Sequence, residues 1–168
     1  MLTCSSLTRL LNCVDRVDKW KLMHREAMGS WINPQNNLVL IGDACHPMLP
    51  YLAQGANSSI EDGAVLGLLL APEALGSKSG LPEALECFQR LRKTRGEKIV
   101  RETFKQRTDF HLRDGPEQAK RDETMIRQLG RELQGAFPSR WTCPEVQPWL
   151  YGYDAKKEVE LAVQTRIS

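Results

Sequence analysis

The sequence predicts a partial α/β fold, with one buried strand at the end of a sheet and a mainly helical region after it. Residues 38–41 are four consecutive apolar residues, which is typical of a strand buried on both faces. A capping-box pattern, Ser58 followed three residues later by Glu61, marks the start of a helix that the apolar spacing extends to residue 70. We therefore expect the strand to be the last parallel strand of a sheet, followed by this helix.

The segment before the strand contributes little regular structure. Residues 7–11 favour a short helix. Apolar and polar residues alternate weakly over residues 20–23, which is compatible with a short strand. After the main strand, Pro47 and Pro50 exclude a regular helix or a central strand, so residues 43–56 are expected to form a loop. This loop is unusually apolar, and we expect it to cover an apolar partner.

Helices dominate the second half of the chain. After a surface connection over residues 73–80, Pro82 is well placed to open a long helix that breaks near Gly96. From residue 137, the prolines, tryptophans and tyrosines predict an irregular tail that is held by aromatic packing. Between them, residues 117–133 favour a further helix with three apolar side chains turned inward: Met125, Ile126 and Leu129.

Composition and charge describe an ordinary soluble globular protein. The net charge is +2, 26% of the residues are charged and 41% are hydrophobic, which argues against a disordered chain. The basic residues between Arg90 and Arg107 are interrupted by Glu97 and Glu102 and have few aromatic neighbours. We interpret them as a solvated helix face, and we expect no nucleic-acid partner.

Cysteine usage and hydropathy indicate the compartment. The five cysteines are widely spaced and include no Cys-x-x-Cys pair, which argues against a disulfide framework and a zinc site, so no metal is expected. The N-terminal residues contain no apolar signal-peptide core. The most apolar run, residues 63–71, is far shorter than the ~20 residues that a membrane span needs. We expect a cytoplasmic protein without a membrane span.

Residues at the end of the predicted strand have the chemistry of a ligand site. In parallel α/β sheets, ligands bind at the carboxyl ends of the strands, which is where Gly42 and Asp43 lie. Gly42 lets the backbone approach a ligand, and Asp43 can accept hydrogen bonds from sugar-like hydroxyls such as those of a flavin's ribityl chain. Near the helix start, the unpaired N–H groups of Gly55, Ala56 and Asn57 suit the negative edge of a reduced flavin.

Other side chains near this motif have simpler interpretations. A plain turn or cap after a strand would also explain Asp43 if it is taken alone. No second metal ligand lies at metal spacing from His46, so we interpret it as a loop histidine bonded to the backbone. Cys45 is expected to be a small buried apolar residue. We therefore assign no catalytic residue from the sequence.

The same residues carry a resemblance to a known family. Residues 42–50 read Gly-Asp-Ala-Cys-His-Pro-Met-Leu-Pro, and they are followed by Gln-Gly-Ala-Asn at 54–57 and Glu-Asp at 61–62. This pattern resembles the second flavin-binding motif of the class A FAD-dependent aromatic monooxygenases, and it is most similar to the salicylate hydroxylase type. The resemblance covers residues from about 18 to 155.

The resemblance implies a cofactor, a chemistry and a set of contacts. FAD is the implied cofactor and NAD(P)H the reductant, with a flavin C4a-hydroperoxide that hydroxylates or epoxidises an aromatic, polyketide-like or terpenoid-like small molecule. Asp43 is implied to bind the ribityl chain, and Pro50 to lie near the reactive edge of the isoalloxazine. The backbone of residues 55–57 is implied to meet its pyrimidine edge. The predicted cofactor contacts are Gly42, Asp43, Pro50, Gly55, Ala56 and Asn57.

The chain departs from the family pattern because no Gly-x-Gly-x-x-Gly follows a strand, so the motif that seats a dinucleotide's pyrophosphate is missing. The chain is therefore expected to be the C-terminal portion of such an enzyme. We expect residues 1–35 to end the substrate domain or connect to it. Residues 36–112 would be the C-terminal part of the FAD-binding domain, including the last strand of its Rossmann-like sheet, and residues 113–168 a helical, aromatic-rich extension.

A second hypothesis stays open, in which the chain is a catalytically inactive fragment or a binding module. A lone strand without parallel neighbours leaves backbone groups unpaired and an apolar face uncovered. Such a module would need a separate N-terminal dinucleotide fold, or it would self-associate through its strand edge as a homo-oligomer. Binding of FAD to the chain distinguishes the two hypotheses.

Overall fold

The structure is a computed structural model that describes residues 4–71 and 80–167. Six α-helices provide nearly all the regular structure among these residues. In chain order they are α1 (Cys4–Leu11), α2 (Gly55–Leu70), α3 (Leu81–Phe110), α4 (Pro116–Arg127), α5 (Gln147–Tyr151) and α6 (Ala155–Ile167). Residues 73–79 of the predicted surface connection lie outside the described residues.

Helices α2 and α3 pack against each other and form the centre of the molecule, and α6 lies against both. Burial of apolar side chains between them provides the main driving force for folding this unit. A second, smaller cluster joins the middle of α3 to the segment around α5, through Ile99, Cys143, Val146 and Leu150. The main core contains Trp31, Cys45, Val65, Leu69, Ala84, Cys87, Phe88 and Val159.

Residues 38–41 do not form a strand in the described part of the chain. Ile32 and Val39 pair through an isolated antiparallel bridge, and the sequence around them is otherwise irregular. Leu38 and Ile41 are 53% and 41% exposed. The described structure therefore does not confirm a strand buried on both faces, because a strand needs neighbours and no described segment lies beside it as a second strand.

Helix α2 begins at Gly55, three residues before the predicted start. Gln54 occupies the N-cap position without a side-chain cap bond, and its carbonyl accepts the Ser58 amide at 2.8 Å. The capping-box interpretation is therefore wrong. Ser58 and Glu61 instead bind arginine side chains from α3. The earlier start places Gly55, Ala56 and Asn57 in the first turn of the helix.

Helix α3 runs without interruption for 30 residues, so the predicted break near Gly96 does not occur. Gly96 is buried, and a Cβ atom there would lie 3.1 Å from the Trp31 ring and 3.1 Å from the His46 ring. The absence of a side chain lets α3 approach the loop that precedes α2. A close approach, rather than a helix end, explains this glycine.

The C-terminal third differs from its prediction in two respects. Helix α4 ends at Arg127, and Ile126 and Leu129 are 70% and 81% exposed rather than turned inward. The apolar spacing predicted a face for the helix, but no described element covers that face. The tail contains two helices, α5 and α6, where an irregular segment was predicted. Among the described residues, no helix has both the length and the apolar character to cross a membrane.

Candidate functional site

The loop before α2 begins with a turn that requires glycine. Residues Gly42–Ala44 form a short 3-10 turn, and Gly42 has a φ angle of +58°. A Cβ atom at Gly42 would lie 2.8 Å from the Ser59 hydroxyl of α2, so both the backbone conformation and the space favour glycine. The turn therefore brings the backbone directly against the first part of α2.

Two of the predicted contacts, Asp43 and Pro50, lie on the surface of this loop. Asp43 is exposed, and no residue in the described part of the chain forms a hydrogen bond or an ion pair with its carboxylate. Pro50 is exposed and opens a second 3-10 turn, Pro50–Leu52. The buried side chains of Leu49 and Leu52 anchor that turn on either side. The loop thus presents a free carboxylate on a well-anchored backbone.

The other three predicted contacts form the amino-terminal turn of α2. The first helical amide bond runs from Ser58 to the Gln54 carbonyl, so the amides of Gly55, Ala56 and Asn57 have no acceptor inside the helix. The Asn57 side-chain amide donates to Gln54 Oε1 at 3.0 Å, which holds the turn in place. These amides, at the positive end of a helix of 16 residues, favour a negatively charged or strongly polarised ligand.

A buried carboxylate, that of Asp62, lies behind this surface. Its Oδ2 atom accepts the Gly42 amide at 2.9 Å and lies 2.7 Å from His46 Nε2, while Oδ1 accepts from Arg92 Nε at 2.8 Å. Burial alone would raise the pKa of Asp62, but the hydrogen bonds from His46, Gly42 and Arg92 outweigh it and hold that pKa below its usual range. Asp62 is therefore a buried anion that holds the loop and α3 together.

His46 and Cys45 are both buried in this cluster. Because His46 binds the Asp62 carboxylate, the predicted hydrogen bond to the backbone is wrong. Cys45 is buried as predicted, and burial, followed by the nearby Asp62 charge, raises the pKa of its thiol to about 12. These three side chains lie close enough to suggest a metal site. However, Arg92 already neutralises the carboxylate and the thiol remains protonated, which disfavours a cation.

Glu61, the neighbour of Asp62, joins α2 to the C-terminal segment. Its carboxylate lies 2.8 Å from Arg92 Nη1 and accepts from Arg95 at 2.7 and 2.8 Å. Arg95 also donates to the Trp149 carbonyl at 2.6 Å, and its guanidinium lies over the Tyr153 ring at 4.3 Å from the centroid. These contacts fix α5 and the start of α6 against the helix pair.

The sequence motif located the surface of the site but not its interior. Asp62 belongs to the motif, yet its pairing with Arg92, 30 residues further along, depends on how α2 packs on α3. The position of His46 near Gly96 depends on the same packing. Spacing along the chain contains no signal for either contact, although an acidic pair followed by several arginines is consistent with buried pairing.

Comparison with known proteins agrees with the motif. Residues 9–103 match the FAD binding domain family. The FAD-dependent monooxygenase OpS4 of Beauveria bassiana (strain ARSEF 2860) is 49% identical over 157 residues, which are 94% of this chain and 36% of that protein. The 3-amino-4-hydroxybenzoate 2-monooxygenase PtmB3 of Streptomyces platensis is 32% identical over 151 residues, covering 90% of this chain and 33% of that protein.

A solved structure shares the fold. The crystal structure of CtdE in complex with FAD and substrate 4 superposes with a TM-score of 0.70 at 24% identity, over 97% of this chain and 36% of that one. The chain spans about a third of the length of the curated relatives it matches. The resemblance to FAD-dependent monooxygenases is confirmed by these relatives. Because the family match covers more than half of its residues, the chain belongs to the FAD binding domain family.

Proposed function

We propose that this chain is the flavin-facing part of an FAD-dependent monooxygenase. Such an enzyme hydroxylates or epoxidises an aromatic or other electron-rich small molecule, with NAD(P)H as the reductant. Membership of the FAD binding domain family and the names of the relatives support this function. The observation that carries it is the juxtaposition of the Gly42 turn, the free Asp43 carboxylate and the open amides of α2.

The residues present fit a flavin. Asp43 has an exposed carboxylate that can accept hydrogen bonds from the ribityl hydroxyls, and the glycine at position 42 lets the turn that holds Asp43 pack closely against Ser59 of α2. The amides of residues 55–57 can donate to the carbonyl and the ring nitrogen at the pyrimidine edge, where negative charge develops on reduction. When bound, FAD supplies electron transfer from NAD(P)H and the activation of oxygen.

The chain's own residues bind and orient the cofactor in this proposal. Pro50, on the anchored turn after the Gly42 loop, would lie near the reactive edge of the ring. The helix dipole of α2 would stabilise negative charge at the pyrimidine edge, because the amides of residues 55–57 have no acceptor inside the helix. No residue is proposed as a general base, because the exposed groups of the loop are binding groups and the His46–Asp62 pair is buried behind them.

The finer organisation of the enzyme is also part of the proposal. We expect residues 38–41 to become the last strand of a Rossmann-like sheet in a full-length enzyme, because their exposed apolar side chains would then be covered. Residues 1–35 would connect to the substrate domain, 36–112 would complete the FAD-binding domain, and 113–168 would form a C-terminal extension. An aromatic substrate is supported by the name of PtmB3.

A cytoplasmic location is proposed as well. The buried cysteines Cys45, Cys87 and Cys143 are free thiols in the structure. Free thiols persist in a reducing compartment, whereas secreted proteins tend to pair them.

An equilibrium titration of the purified 168-residue chain with FAD tests the function. Flavin fluorescence reports binding, and circular dichroism reports that the chain is folded. We expect saturable binding with a dissociation constant in the micromolar range, and an increase of about tenfold for Asp43→Asn, because one charge-assisted hydrogen bond is lost.

The matched control is Asp15→Asn, which neutralises another exposed carboxylate outside the site and should leave the affinity unchanged. Absence of saturable binding to a folded wild-type chain would contradict the proposal for this chain. It would favour the alternative of a fragment or binding module that needs a separate dinucleotide fold.

A further inference from the structure

The buried Asp62 carboxylate is the contact between the proposed ribityl-binding turn and the helical core. We propose that Asp62 is a positioning residue for the flavin, which holds the Gly42 amide so that the Gly42–Asp43 turn faces the ribityl chain. The inference rests on the proposed function. It assigns a role to a residue that does not itself reach the cofactor surface, since Asp62 is fully buried.

The geometry shows how the carboxylate is used. Oδ2 binds the Gly42 amide at 2.9 Å and His46 Nε2 at 2.7 Å, and Oδ1 binds Arg92 at 2.8 Å. The side chains of Asp62 and Arg92 are 0% exposed and that of His46 is 1% exposed. Water therefore cannot replace a lost partner, and each of these hydrogen bonds is strengthened by charge.

Within the described part of the chain, the Gly42 amide has one hydrogen-bond acceptor, the Asp62 carboxylate. The Gly42 carbonyl accepts the amides of Cys45 and His46 at 3.0 Å each, and these bonds close the turn on itself. They do not orient the turn relative to α2. The Asp62 bond performs that task, because it joins the Gly42 amide to the second turn of α2. With the amide directed inward, the following residue, Asp43, is left on the surface.

Glu61 provides a matched control within the same network. It lies next to Asp62 on α2 and pairs with the same arginine, Arg92, as well as with Arg95. None of the contacts described for Glu61 involves the Gly42 turn. Replacing Glu61 therefore disturbs the buried ion pairs without releasing the Gly42 amide.

The first test needs no flavin and measures hydrogen exchange at the Gly42 amide by NMR. We expect this amide to exchange at least about tenfold faster in Asp62→Asn than in the wild type, while Glu61→Gln leaves its rate within about twofold. Equal exchange of Gly42 in the two variants would overturn the inference, because it would show that the turn is held without the carboxylate.

The second test separates positioning of the ribityl chain from general stability. Riboflavin contains the ribityl chain, and lumiflavin has the same ring with a methyl group in its place. We expect Asp62→Asn to weaken riboflavin binding by about tenfold and lumiflavin binding by less than about twofold, with both affinities nearly unchanged in Glu61→Gln. Equal weakening of both ligands by Asp62→Asn would overturn the inference, because a purely structural role affects both alike.

A double variant keeps the test decisive if Asp62→Asn does not fold. Asp62→Asn with Arg92→Gln removes both buried charges together and avoids leaving one of them uncompensated. It should show the same selective loss of riboflavin affinity. If the folded wild-type chain binds neither ligand, the proposed function fails and the flavin role of Asp62 fails with it. If the wild type binds both and only the selectivity is missing, the inference about Asp62 fails alone.

Discussion

The centre of the molecule and the segment over residues 12–23 are stabilised very differently. In the centre, charged and apolar side chains are buried together, and Asp62, Arg92 and Phe88 are completely shielded from water. In the segment, Trp20 and Met23 are 83% and 76% exposed. Both regions fall within the match to the FAD binding domain family. Membership of a family therefore does not imply that each matched part contributes equally to the stability of this chain.

The largest expected effect is the removal of a core aromatic side chain. Phe88→Ala should lower the free energy of unfolding by about 3–5 kcal/mol, because it leaves a cavity between α3 and the rest of the core. Trp20→Ala removes a larger but exposed ring and should change that free energy by no more than about 0.5 kcal/mol. Urea denaturation of both variants measures the difference. Similar losses would show that the exposed segment is packed in solution.

Two glycines in the centre differ in the space around them, so alanine substitutions there should have opposite effects on stability. Gly96→Ala should destabilise the chain by about 1–3 kcal/mol, because the new methyl group would meet the Trp31 and His46 rings. Gly63→Ala adds a methyl group in the interior of α2 with no neighbour within 4 Å, and should stabilise it by up to about 1 kcal/mol. Thermal unfolding of the two variants and the wild type measures the change in stability. A stabilising Gly96→Ala would contradict the close approach of α3 to the loop.

The contribution of Asp62 should depend on pH. Because its pKa is lowered in the folded state, its stabilising effect is present above the ordinary aspartate value of ~3.9 and is lost as the pH falls through the folded-state value. One titrating group changes the free energy of unfolding by at most ~1.4 kcal/mol per pH unit. The stability gap between the wild type and Asp62→Asn should therefore narrow at acid pH. A gap independent of pH would mean that the Asp62 charge is not what stabilises the centre.

The smallest effect is on chemical reactivity rather than stability. At pH 8 we expect a thiol reagent to modify the exposed Cys13 quickly and to leave Cys45 unmodified until the chain unfolds, because burial raises the Cys45 pKa to about 12. Peptide mapping by mass spectrometry distinguishes the two sites. Equal labelling of both cysteines in the folded chain would contradict the burial of the loop before α2.

Local chemistry was predictable from the sequence, whereas long-range pairing was not. The turn at Gly42 and a helix shortly after the loop follow from residue types at short spacing, although the helix begins at Gly55 rather than at the predicted residue 58. The strand at residues 38–41 was predicted from its apolar run alone. Whether such a run becomes a strand depends on neighbouring strands, which a short apolar segment does not specify.

Two other features depend on contacts between parts of the chain that are distant in sequence. Glycine usually weakens a helix, but Gly96 lies in the middle of a continuous helix because the Trp31 and His46 rings occupy the space of its missing side chain. The apolar spacing in α4 predicts an apolar face but does not specify which element covers that face. No element in the described part of the chain covers Ile126, and its side chain is exposed.

The contacts of Arg95 have a consequence for where the chain can be shortened. This residue of α3 binds Glu61 on α2 and the main-chain carbonyls of Trp149 and Leu150 near the other end of the chain. The first turns of α2 and the C-terminal segment therefore belong to one cooperative unit. A truncation before residue 149 would remove acceptors from a guanidinium that is mostly buried, and a truncation before α6 would remove Val159 from the main core, so a version that retains the intact centre must include both α5 and α6.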